Sequence, residues 1–135
     1  MKQTKLGIIT ALRICRELWI WLRENPGNDK CQWPGWETWG YMHSHCPCCE
    51  FVTHRHCHPF SRHGCRGCPL GGFAWAKDVW LACQDLGTPY DDWRTYELDS
   101  PSTMRAALKM VRACEKALRA NGAKVETYKA RRIKR

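Results

Sequence analysis

The stretch "LGIITALRICRELWIWLREN", residues 6–25, decides how the rest of the chain is read. Ile8, Leu12, Cys15, Leu18, Trp19 and Leu22 recur at intervals of three and four, which lines them along one face of a helix. Arg13, Arg16 and Glu17 fall off that face, and Asn25-Pro26-Gly27 stops the pattern. A one-sided helix of this length needs a second apolar surface to cover it.

That surface is supplied late in the chain, by "SPSTMRAALKMVRACEKALRANG", residues 100–122. Ser100 suits an N-cap, Pro101 suits the first helical position, and Asn121-Gly122 suits the end. Met104, Leu108, Val111, Glu115 and Leu118 follow the helical spacing, Ala107 and Cys114 widen the stripe, and Glu115 is its one polar member. The fold class expected is therefore mainly α: two long amphipathic helices packed together, with a zinc-stapled, loop-rich Cys/His insert and one short helix between them. The short helix is read in "FAWAKDVWLACQDLG", residues 73–87, where Trp75, Val79, Ala82, Cys83 and Leu86 keep helical intervals before Gly87. "CQWPGWETWGYMH", residues 31–43, spaces Trp33, Trp36 and Trp39 between a proline and glycines and reads as an irregular aromatic segment. "TPYDDWRTYELDS", residues 88–100, reads as an acidic, aromatic connection.

The insert is "HSHCPCCEFVTHRHCHPFSRHGCRGCPL", residues 43–70, which holds all six histidines and six of the ten cysteines of the chain. Cys46 and Cys49 form one C-x2-C pair, Cys65 and Cys68 another, with fifteen residues between them. This is the spacing of a structural zinc site. Each short pair wraps one metal, and two pairs supply four thiolates as a tetrahedron about 2.3 Å from zinc. A four-thiolate site has no open position, so such a zinc holds a fold and does not catalyse. The cofactor expected is one structural Zn2+ on Cys46, Cys49, Cys65 and Cys68, with Cys48, Cys57, His58 and Cys83 as substitute ligands. His54, His56 and His63 lie in the same segment, so a Cys3His set or a second zinc stays open. Cys15 and Cys114 sit on the helix stripes and read as core packing; Cys31 is undecided.

Length and composition agree with one small domain. The chain has 135 residues, 44% hydrophobic and 26% charged, with eight tryptophans, which is too apolar for disorder and enough for a single modest core. Packing within the core or insert is the ordinary role for those tryptophans. The domain is expected over residues 1–123, with residues 43–70 as its zinc-binding insert and residues 124–135 as a flexible basic tail. The lysines before the first apolar run imitate a secretory signal, but Arg13, Arg16 and Glu17 interrupt it. No uncharged run approaches the roughly 20 residues that span a bilayer. A cytoplasmic setting without membrane contact follows as the expectation, and there clustered cysteines bind metal or stay reduced.

The net charge of +9 is uneven: +3 over residues 1–30, +1 over 31–70, 0 over 71–123 and +5 over 124–135. The last segment, "KVETYKARRIKR", reads as a basic tail able to meet nucleic acid or another acidic surface. The binding residues expected are Lys129, Arg131, Arg132, Lys134 and Arg135 there, with Arg55, Arg62 and Arg66 around the metal segment.

Taken in order, "ICRELWIWLRENP", "WPGW", "CPCCEF", "CRGCPL" and "GTPYDDW", followed by a C-terminal helix, resemble a set of small cysteine-rich, zinc-binding accessory proteins encoded by bacteriophages and without assigned function. The resemblance spans residues 12 to 120. It implies a zinc-binding accessory protein at work in the cytoplasm of an infected bacterium, and it implies no reaction. A second, local resemblance joins "HRHCHP" between the two C-x2-C pairs to the ββα-metal nucleases of the endonuclease VII type. There a His activates water while an Asp and a later Asn hold a divalent ion. His56 stands in the place of that base, but Arg55 occupies the position of the Asp and Pro69 that of the Asn, so the constellation is incomplete. Thiol redox chemistry is weaker still, since no βαβ alternation surrounds either C-x2-C pair.

These readings converge on a protein that acts by binding rather than by catalysis. The partner expected is nucleic acid or a nucleic-acid-associated host complex, as in modulation of transcription or defence. The alternatives are an inhibitor binding a host protein directly and, third, a metal-dependent nuclease. Oligomeric state is not written in these residues.

Overall fold

A computed structural model of the protein describes residues 7–40, 88–97 and 99–131. Helix α1 runs over Ile8–Glu24, a 3-10 turn over Lys30–Gln32, α2 over Trp36–Trp39, α3 over Pro89–Thr95 and α4 over Pro101–Ala120. The described residues are mainly helical, and α1 and α4 pack along each other. The helix expected over residues 73–87 and the whole Cys/His insert lie outside the described residues.

The periodicity of α1 becomes its buried face: Ala11, Leu12, Ile14, Cys15, Leu18, Trp19 and Leu22 are buried. The Asn25 N–H donates to the Trp21 carbonyl to close the helix, and Gly27 follows with a φ of 93°, which favours glycine. On α4, Thr103, Ala106, Ala107, Met110, Val111, Ala113, Cys114, Glu115, Ala117 and Leu118 are buried. Small side chains at Ala106, Ala107, Ala113 and Ala117 leave room for the larger Leu, Ile and Trp residues of α1. Met104 and Leu108, expected on the stripe, are only half-buried, and Met110 is deeper than either.

The ends of α4 are built as its sequence demands. The Ser100 Oγ accepts from the Thr103 N–H at 3.2 Å, and Pro101 opens the helix. At the far end the Gly122 N–H donates to the Arg119 carbonyl and the Ala123 N–H to the Leu118 carbonyl, the paired bonds of a Schellman motif, with Gly122 at a φ of 83°.

The connection at residues 88–100 is more regular than expected, because it contains α3. Pro89 occupies the start of that helix, where a missing N–H costs nothing. Tyr90 and Trp93, three residues apart, then fall on one face, and Trp93 meets Trp19 edge-to-face with ring centroids 5.0 Å apart. Trp33 and Trp36 form a second edge-to-face pair at 4.9 Å, and the Trp36 Nε1–H donates to the Lys30 carbonyl at 2.8 Å. The aromatic segment is thus a 3-10 turn and a single helical turn folded onto the core, with Trp39 left 43% exposed at its end. No helix among the described residues is long and apolar enough to cross a membrane.

Candidate nucleic-acid interface

The outer face of α4 carries a feature that segment charges conceal. Arg105, Lys109, Arg112, Lys116 and Arg119 are all exposed, at steps of four, three, four and three residues. Such steps keep side chains on one face of a helix, so the five cations form a single ridge. From the first to the last the ridge spans about 21 Å at 1.5 Å per residue. The one carboxylate of α4, Glu115, is fully buried, and of the five it pairs with Arg112. In a sum over residues 71–123 the ridge, with Lys77 and Arg94, is offset by Asp78, Asp85, Asp91, Asp92, Glu97, Asp99 and Glu115, so the segment charge hides it.

Glu115 explains how the ridge is held. Its Oε2 accepts from the Arg16 Nε of α1 at 3.0 Å and from the Tyr128 N–H at 2.7 Å, and its Oε1 accepts from Arg112 Nη1 at 2.9 Å. Burial by itself pushes this carboxyl up; the hydrogen bonds from Tyr128, Arg112 and Arg16, with the Arg16 charge, outweigh burial and hold it below its ordinary range. One stripe member that looks like an error in the apolar pattern is the joint where α1, α4 and the C-terminal segment meet.

Residues 124–135 are expected as a flexible basic tail, of which 124–131 are described; there the chain forms a strap in which Val125 and Tyr128 pack against the core of the two long helices. Arg16 Nη2 donates to the Glu126 carbonyl at 2.9 Å, Arg112 Nη1 to the Tyr128 carbonyl at 2.7 Å, and Arg119 Nη2 to the Thr127 hydroxyl at 2.8 Å. Further along, Tyr128 donates its hydroxyl to Glu24 Oε2 at 2.8 Å, and Arg23 Nη2 donates to the Arg131 carbonyl at 2.8 Å. Burial raises the Tyr128 phenol above its ordinary value, and the bond to Glu24 adds to the rise. Lys124, Lys129 and Arg131 are exposed along this strap and extend the positive surface beyond α4, with Glu126 exposed among them.

Of the residues expected at a site, Lys129 and Arg131 are therefore placed on the strap. Cys46, Cys49, Cys65 and Cys68, the substitute ligands Cys48, Cys57, His58 and Cys83, and the cations Arg55, Arg62, Arg66, Arg132, Lys134 and Arg135 lie outside the described residues. Among the described residues no group of three or more His, Cys, Asp or Glu is arranged to hold a metal. The described cysteines Cys15 and Cys114 are buried inside the helix core, as their stripe positions imply, and Cys31 is exposed.

A cleft of about 590 Å³ opens beside α3, lined by Lys30, Tyr90, Trp93, Arg94, Tyr96 and Glu97 among others. Lys30 Nζ sits 4.6 Å from the Tyr90 ring centroid and donates to the Tyr90 hydroxyl at 2.9 Å. Its lining mixes both signs of charge with aromatic walls, whereas the α4 ridge is of one sign throughout. No protein-family model, curated protein or solved structure matches the chain.

Proposed function

We propose that the protein is a small zinc-binding accessory protein of the bacteriophage kind, working in the bacterial cytoplasm by binding nucleic acid or a nucleic-acid-associated host complex. The observation that carries this reading is the ridge of Arg105, Lys109, Arg112, Lys116 and Arg119, continued by Lys124, Lys129 and Arg131 on the strap. A surface this rich in cations, interrupted by Glu126 on the strap, raises the local concentration of a polyanion and replaces its counterions. The zinc would be held by Cys46, Cys49, Cys65 and Cys68 on the strength of their spacing, and it supplies folding free energy to the insert rather than chemistry. Arg55, Arg62 and Arg66 would add cations from that insert.

The test is a salt titration of binding between the purified protein and mixed bacterial nucleic acid. Phosphate-driven association weakens steeply as salt rises, with a slope set by the number of contacts. Absence of any salt-sensitive association ends this reading. A direct inhibitor of a host protein is the second reading, favoured by Trp39 and Tyr96, the large hydrophobic side chains left exposed among the described residues at 43% and 50%. Under that reading Trp39→Ala or Tyr96→Ala removes capture of the host protein, and salt matters little.

A further inference from the structure

Resting on the nucleic-acid reading, we infer that the α4 ridge is the docking element, and that its partner is the sugar-phosphate backbone of double-stranded DNA, bound without regard to sequence.

The first argument is charge density. Five cations line about 21 Å of one helix face, and a B-form duplex carries a phosphate charge for about every 1.7 Å of its axis. A line of cations on a stiff helix complements the surface of such a polyanion. A single strand offers about half that density. The helix is stiff where it matters: its first turn is fixed by Ser100, its last by the Gly122 motif, and its middle by Glu115, which holds Arg112 and Arg16 together.

The second argument is what the ridge lacks. The exposed residues of α4 are Pro101, Arg105, Lys109, Arg112, Lys116, Arg119 and Ala120, with no aromatic ring among them. Proteins that grip single strands stack bases on aromatic side chains. The exposed aromatics of the described residues, Trp39 and Tyr96, belong to neither α4 nor the strap. The hydroxyls beside the ridge, Ser102 and Thr127, already accept from Arg105 and Arg119, whereas duplex RNA is recognised in large part through its 2′-hydroxyls. With only cations to offer, α4 can position itself on a duplex but cannot read base edges.

Lys109 and Lys116 are the members to test, because both are exposed and neither has a hydrogen-bond or ion-pair partner among the described residues. Arg112 and Arg119, in contrast, hold the strap. The measurement is fluorescence anisotropy of the full chain with two unrelated DNA duplexes of about 20 base pairs, longer than the footprint. A single strand and an RNA duplex of the same length serve as comparisons. The K109Q/K116Q variant should keep its circular dichroism spectrum and Tm. It should bind both DNA duplexes on the order of tenfold or more weakly at 0.1 M salt, and lower the slope of log K against log salt by about 1.8. The wild type should bind the two DNA sequences equally and the single strand and RNA duplex less well.

Unchanged affinity and slope in K109Q/K116Q, together with loss of binding on neutralising Arg132, Lys134 and Arg135, would overturn the ridge while leaving the nucleic-acid reading in place. Equal or tighter binding of the single strand or the RNA duplex overturns the choice of partner. No binding of any nucleic acid by the wild type overturns the broader reading on which this one rests.

Discussion

Arg16 on α1 and Glu115 on α4, ninety-nine residues apart in sequence, meet at 3.0 Å between Nε and Oε2. The carboxylate is wholly buried, and it is also bound by Arg112 and by the Tyr128 N–H, so a single side chain ties both long helices to the C-terminal strap. An isolated buried charge is expensive; one with this many donors is tolerated because every strong acceptor position is met.

Replacing Glu115 by Ala should therefore destabilise the protein by about 2–3 kcal/mol. The loss stays below that of a fully enclosed pair, because Arg16 and Arg112 reach solvent and can be rehydrated. Urea unfolding followed by tryptophan fluorescence measures it as a lower midpoint at unchanged slope. A midpoint equal to wild type would mean that the joint contributes nothing to stability.

The same carboxylate sets a pH dependence with a defined sign. Its folded pKa lies below the ordinary carboxyl value, so the unfolded chain binds the proton more readily. The stabilisation is thus fully present above the unfolded pKa of about 4.3 and is lost as pH falls through the lower folded value. Glu115→Gln, which cannot ionise, should flatten the acid limb of a Tm-against-pH curve while costing stability at neutral pH. An acid limb of wild-type steepness in the variant would assign the dependence to other carboxylates.

Gly35 gives a prediction about packing rather than charge. An ideal Cβ built there falls inside the Trp33 indole ring, because Trp33 folds back over the turn that leads into α2. Gly35→Ala must displace that ring from its edge-to-face contact with Trp36, at a cost of about 1–3 kcal/mol. Gly7, whose added Cβ meets nothing within 4 Å, is the matched control. Thermal melts followed by near-ultraviolet circular dichroism should show a lower Tm and an altered tryptophan signal for Gly35→Ala alone.

The two long helices were legible because hydrophobic period, capping residues and length all agree at residues 6–25 and 100–122. Harder to read was α3. Its "TPYDDW" is dominated by turn-forming and acidic residues, and only Pro89 at the first position with Tyr90 and Trp93 three apart marks a helix; its contact with Trp19 supplies the rest. The ridge on α4 was visible in principle, as cations at steps of four and three, but a sum over residues 71–123 cancels it against the seven acids of that segment. The strap was not legible at all. Val125 and Tyr128 are too few to announce a buried segment, and their partners Glu115, Arg16 and Arg23 become neighbours only once α1 and α4 have packed. Glu115, by contrast, stood out as the exception in an apolar stripe, and a polar exception at such a position is where a joint is best sought.

The zinc proposal makes the last prediction, and it depends on spacing alone. If Cys46, Cys49, Cys65 and Cys68 form one closed site, purified protein carries one zinc per chain, and Cys46→Ser and Cys65→Ser each lower that content sharply. Cys15→Ala and Cys114→Ala should leave zinc untouched and act only through the helix core in which both thiols are buried. Elemental analysis separates the two classes of cysteine directly, and a chelator titration followed by Tm reads the energetic link, since metal bound only by the folded chain stabilises by mass action. Two zincs per chain would bring Cys48, Cys57 and His58 into the ligand set. Zinc-free protein with a wild-type melt would show that the paired cysteines serve another purpose and that the helix pair stands without a staple.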